Sequence, residues 1–285
     1  MGQKSLTQIP LTKRASYNFE IFNITFKHIM RKKSIIIIEM VLFLPVIIPI
    51  YYLLQKAKGM TILWDNPDND AMVFFMNNIY TIYLKLLIPM VITILAATAV
   101  LEEQKEQTIV YLLTRPLKRY WIVIQKFLAL FPIAIILALP PLFVNFAFYV
   151  GIDIQLKFVT ELDAFWSLFM GVVWYSLFIV SICIFLCLIS KRAIVFSMAY
   201  ILGYELLGYQ VIVGFFANIR YIFASFYVQS YLARIIADYQ LSPLTIIDEC
   251  VHAWTAVFVL FITAVIWLFL SYITLNRKEY YGKEK

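Results

Sequence analysis

The chain has 285 residues, 63% of them hydrophobic and 14% charged. A soluble domain is about 45–50% apolar and about 25% charged, so this chain lacks the charges to cover a water-facing surface. Its mean hydropathy of +0.83 excludes disorder, a coiled coil and a secreted disulfide scaffold. The net charge of +7 first suggests nucleic acid, but its distribution along the chain assigns it to a membrane face. Backbone groups in lipid are satisfied only in helices and closed barrels. The apolar runs here are continuous rather than alternating, which favours helices.

Before the first run, a surface helix is expected from about Arg14 to Lys33. Phe19, Phe22, Phe26 and Ile29 recur at three- and four-residue spacing, with Asn18, Glu20, Asn23 and Lys27 between them. That pattern fits a helix lying in the membrane interface. No cleavable signal peptide is expected, because the residues before Ser34 are mixed and polar.

Six transmembrane helices follow, each near the 20 or so apolar residues a span needs. They run from about Ser34 to Leu54, Asn78 to Leu101, Trp121 to Val150, Ala164 to Ser190, Ala193 to Ala217, and Val251 to Leu275. The third is long and carries Pro132, Pro140 and Pro141, which suggests kinks. Cys183 and Cys187 sit one turn apart in the fourth and read as small packing residues; Cys250 is isolated. Trp121, Trp166 and Trp254 mark span ends.

Lysine and arginine orient the spans. Lys4, Lys13, Arg14, Lys27, Arg31, Lys32 and Lys33 precede the first; Lys105, Arg115, Lys118 and Arg119 join the second and third; Lys191 and Arg192 join the fourth and fifth. Arg277, Lys278, Lys283 and Lys285 follow the last, while the opposite face has only Lys56, Lys58, Lys157, Arg220 and Arg234. Both termini are therefore expected in the cytoplasm of a plasma-membrane protein, with anionic lipid rather than nucleic acid as the partner of the positive charge. Residues 218–250 are apolar yet external. A seventh span there would put the basic tail outside, so short re-entrant or interfacial helices are preferred, one starting at Ser242-Pro243. The organisation is a cytoplasmic segment 1–33, a transmembrane domain 34–275 and a cytoplasmic basic tail 276–285.

Motifs for catalysis are missing. Gly203 and Gly208 have phosphate-loop spacing but are followed by Tyr209, so the chain is not expected to bind ATP itself. The two histidines, His28 and His252, form no H-E-x-x-H, and Glu102-Glu103 has no histidine in a partner span. No catalytic, cofactor or metal residue is assigned.

The connection from Glu102 to Lys126 is the most informative segment. It reads as a short cytoplasmic helix with Glu102, Glu103 and Glu106 in its first turns, an apolar stripe at Val110 and Leu113, and an end before Pro116. Such a helix can act as a lever between two spans; an ordinary basic loop is the alternative.

An acid, three polar residues, a small residue and Thr, then two leucines, Pro, Arg and Lys at fixed spacing resemble the signature of ABC type-2, exporter-like permeases. Glu103, Thr108, Leu112, Leu113, Pro116, Arg119 and Lys126 fall in register, with Gln107 where glycine is usual. The resemblance implies an all-α integral membrane protein with an amphipathic interface helix, six spans, a coupling helix and a membrane-dipping segment before the last span. It implies a permease subunit of an ATP-driven exporter, paired with a second copy or paralogue. A separate ABC ATPase would carry the ATP and Mg. The coupling role would fall to Glu102, Glu103, Thr108, Leu112 and Leu113, with Pro116 and Arg119 as helix stop and membrane anchor. The alternatives are a membrane anchor that transmits force without transport, and an ion-coupled carrier.

Three charges lie within spans: Glu39, Lys85 and Glu205. Charges in lipid are costly and face partners or cavities. Lys85 lies about seven residues beyond Asn78 and Glu205 about twelve into the fifth span, so their depths differ by one or two turns. They could pair, or each could find separate polar groups. Glu39, about one and a half turns in, is expected to reach Lys32 or water. Phe143, Phe146, Phe148 and Tyr149 read mainly as packing and lipid-contact residues, with a lipid-like substrate path as the alternative.

Overall fold

A computed structural model of the chain describes residues 20–58, 79–105, 119–152, 162–190, 192–201, 203, 227–228, 230–232 and 252–277. Among these residues there are helices and no strand. We number them α1 (Glu20–Met30), α2 (Ser34–Phe43), α3 (Ile47–Ala57), α4 (Ile88–Lys105), α5 (Arg119–Ile152), α6 (Leu162–Ile189), α7 (Ala193–Met198) and α8 (Ala253–Arg277). A 3₁₀ turn, Leu44–Val46, links α2 to α3, and a π-helical stretch, Ile79–Leu87, leads into α4.

Five helical stretches are long and apolar enough to cross a membrane: Ser34–Gln55, Ile82–Leu101, Tyr120–Val150, Phe165–Ile189 and Ala253–Arg277. They coincide with five of the six expected spans. Of the other, 193–217, only the start, α7 and a few residues beyond, is described. Most of 218–250 and the tail after Arg277 also lie outside the described residues.

Helix α6 occupies the centre. It packs against α4, α5, α7 and α8, and its buried face runs from Leu168 through Val172, Ile179 and Cys183 to Cys187. The apolar window of α6 is 67% buried and that of α4 72%, against 28% for the first span and 22% for α8. Apolar residues on α8 such as Trp254, Phe258 and Phe269 are exposed. In lipid that costs nothing, because acyl chains are as apolar as leucine; helix association there rests on close packing and hydrogen bonds. Phe143 and Phe146 meet Phe165 of α6 with ring centroids 5.7 and 5.2 Å apart, so these two aromatics join helices.

One local expectation is sharpened and one is corrected. The interface helix, described from Glu20, packs on α5 and α4, and its buried line is Ile21, Thr25 and Ile29. Phe22 and Phe26 flank that line, stacked at 5.7 Å; Arg14 to Phe19 lie outside the described residues. Periodicity gave the helix an apolar face without saying whether lipid or protein covers it. Second, Glu102 and Glu103 belong to the last turn of α4 rather than the first turn of a separate helix. Glu, Gln and Lys are good helix formers, and nothing between Leu101 and Lys105 breaks the helix.

Helix α5 runs through Pro132, Pro140 and Pro141 without interruption. The carboxamide of Asn145 donates to the Pro141 carbonyl at 2.9 Å, a turn back along the helix.

Candidate functional site

The segment expected to couple to an ATPase is bordered by the end of α4 and the start of α5. Thr108, Leu112, Leu113 and Pro116 lie outside the described residues. Glu102 and Glu103 close α4 and Arg119 opens α5; their side chains are not among those described. What is described is the frame holding the two helix ends.

Two neighbouring residues of α5 build that frame. Lys126 is 3% exposed and donates from Nζ to the Ala99 carbonyl of α4 at 2.9 Å. That carbonyl already has a place in the α4 ladder, so the lysine uses its second lone pair. The ammonium also lies within electrostatic reach of Cys187 of α6. Gln125, fully buried, accepts through Oε1 from the Phe22 backbone N–H of α1 at 3.3 Å. The bond ties the described start of α1 to a side chain 103 residues away. One turn of α5 therefore holds both α1 and α4 beside the connection. Deeper in, the Thr93 hydroxyl donates to the Pro89 carbonyl at 2.9 Å and lies 3.5 Å from the buried Cys183 sulfur.

Gln125 and Lys126 stand in an apolar run, and a polar residue there is the signal that sequence reasoning had for them. Lys126 was expected only as part of a pattern; Gln125 was not expected at all.

Of the three charges expected within spans, Glu39 and Lys85 are among the described residues. Glu39 sits with Ile35, Ile36, Met40 and Phe43 of α2 opposite Ile136, Leu137 and Pro140 of α5, around a groove of about 520 Å³. Pro140 lies about 30 Å along α5 from its start. The Glu39 Oε2 atom is buried and has no hydrogen-bond partner among the described residues. One turn further on, the Tyr83 hydroxyl donates to the Leu42 carbonyl and hydrogen-bonds Asn145. Lys85 is partly buried on the π-helical stretch. Glu205 lies outside the described residues, so a Lys85–Glu205 pair remains an expectation.

Residues 25–208 match the family described as ABC-2 family transporter protein. No curated protein matches the chain as a relative. The matched range begins within α1, takes in the first four spans with the connection between α4 and α5, and extends beyond α7. It covers well over half of the 285 residues, and with five apolar helices of spanning length it places this multi-pass chain in the ABC-2 transporter family, as a membrane component of a transporter.

Proposed function

We propose that the chain is the permease subunit of an ATP-driven exporter and that the connection between α4 and α5 receives the push of a separate ABC ATPase. The observation that carries this beyond family membership is the polar frame. Lys126 ties the start of α5 to α4, and Gln125 ties it to α1. Displacement of the connection would then move three helices together rather than bend one. In this mechanism Glu102, Glu103, Thr108, Leu112 and Leu113 meet the ATPase, while Pro116 and Arg119 end the lever at the membrane edge. ATP and Mg are bound by the partner, and a second permease copy or paralogue completes the pathway. Both termini face the cytoplasm of a plasma-membrane protein, in keeping with the positive charge.

A pull-down of tagged protein from native membrane tests this, with wild type beside Leu112→Asp/Leu113→Asp. An ABC ATPase is expected with the wild type and not with the variant. A folded variant that keeps the ATPase, or a wild type that brings none, would overturn the coupling role. ATPase activity in the purified complex without any substrate flux would favour a force-transmitting anchor instead.

A further inference from the structure

Each of the first three spans carries a point of irregular or weakened helix, and the three points meet. The first span has the 3₁₀ turn Leu44–Val46, which contains Pro45. The second is led by the π-helical stretch Ile79–Leu87. The third carries the adjacent pair Pro140 and Pro141, which leaves its helix short of two consecutive N–H donors. A 3₁₀ stretch inside a helix often marks a hinge, and π geometry recurs at functional sites. Helix α6, at the centre of the bundle, runs as α-helix from Leu162 to Ile189 with no proline. It is the fixed reference against which the other three can bend.

One chain of hydrogen bonds joins the three points. Tyr83 stands midway along the π-helical stretch and is fully buried. Its hydroxyl donates to the Leu42 carbonyl, two residues before the 3₁₀ turn. A phenol has one proton, so in the bond with Asn145 the Tyr83 oxygen accepts from the carboxamide. The same carboxamide donates to the Pro141 carbonyl at 2.9 Å. Leu42, Tyr83, Pro141 and Asn145 are all buried. Beside this chain α2 and α5 part around the apolar groove of about 520 Å³, which leaves the two helices room to shift.

We propose that Tyr83 latches a hinge that crosses the first three spans at this level. The moving part lies on the side away from the α4–α5 connection: α3, the π-helical stretch and α5 beyond Pro141. Helix α3 packs on α5 and moves with it. Helices α1 and α4 and the start of α5, held together by Gln125 and Lys126, stay with α6. When the latch opens, the 3₁₀ turn and the proline pair bend together. The π-helical stretch takes up the change by exchanging i→i+5 for i→i+4 bonds. The hinge is a property of this chain alone and stands whether or not an ATPase drives it.

Two nitroxide pairs on the full chain in lipid nanodiscs test this, read by electron–electron double resonance. A Cys250→Ser background is used, since Cys183 and Cys187 are buried. Leu54→Cys/Met170→Cys measures the moving side against α6, and Ile36→Cys/Ile189→Cys measures the fixed side; all four positions are exposed on the outside of the bundle. Tyr83→Phe removes only the hydroxyl. It should shift the Leu54–Met170 pair toward a second, displaced population by about two- to tenfold, the scale of one hydrogen bond. The Ile36–Ile189 distance should stay as in wild type. Pro45→Ala restores an N–H to the first span. Added to Tyr83→Phe, it should return the Leu54–Met170 pair to a single population. An unchanged Leu54–Met170 distribution in Tyr83→Phe would overturn the latch. Equal broadening of both pairs would also overturn it, because Tyr83 would then hold the bundle as a whole. A double variant that keeps the second population would overturn the 3₁₀ turn as the pivot.

Discussion

The Lys126 ammonium is bonded to the Ala99 carbonyl at 2.9 Å, joining two spans just inside the connection expected to meet an ATPase. A hydrogen bond to a charged group contributes about 1.5–3 kcal/mol. Lys126→Met keeps the length of the side chain and removes the donor. The complex with the ATPase should still assemble, and ATP-driven turnover should fall about tenfold or more, since about 1.4 kcal/mol is a factor of ten. Unchanged turnover would mean that the bond plays no part in transmission.

Gln125 is tested through α1. Gln125→Leu removes the acceptor for the Phe22 N–H, and a buried amide that loses its partner costs about 1–3 kcal/mol. Helix α1 should then detach more readily from α5. Trypsin should cut faster at the exposed Lys27 and Arg31, while Gln125→Glu, which keeps an acceptor, should cut at the wild-type rate. Equal cleavage of all three proteins would show that apolar packing alone retains α1.

Tyr83 addresses a break in the first span. In the 3₁₀ turn after α2, the Leu42 carbonyl would look for an N–H at residue 45, which is Pro45 and has none. The Tyr83 hydroxyl takes that place. Tyr83→Phe should destabilise the detergent-solubilised protein by about 0.5–1.5 kcal/mol, read as a lower midpoint of thermal unfolding. Asn145→Leu, by loss of its bond to the Pro141 carbonyl, should do the same.

Gly171 of α6 makes a close approach. A Cβ there would sit 3.1 Å from Leu232 Cδ2, the movable end of a leucine. Glycine to alanine inside a helix gains about 1 kcal/mol from propensity, and the contact opposes it. Gly171→Ala alone should be near neutral. In a Leu232→Ala background the same change should stabilise by about 1 kcal/mol. Gly171→Leu should lower the unfolding temperature in either background. A stabilising Gly171→Ala in the wild-type background would show that Leu232 yields freely.

The membrane class, five of the spans and the family were legible in the sequence for one reason. A run of about 20 apolar residues is a local property, and so is the spacing from Glu103 to Lys126. The face that α1 buries was not legible. Leucine-like surfaces serve equally against lipid and against another helix, and the structure buries Thr25 while leaving Phe22 and Phe26 at the edge. The proline pair in α5 was visible, but that Pro140 shares a groove with Glu39 of α2 came only with the packing of the two helices.

Composition and periodicity thus determined that the chain spans a membrane as helices, and the spacing of one connection determined its kinship. Tertiary structure alone decided the polar contacts that single out residues within those helices. Gln125 meets Phe22 from 103 positions away, Tyr83 meets Leu42 from 41, and Lys126 meets Ala99 from 27. Each bond forms where two helices pack closely enough to exclude lipid from a polar atom. Which helices do so depends on the shape of every span at once, and no local pattern encodes it.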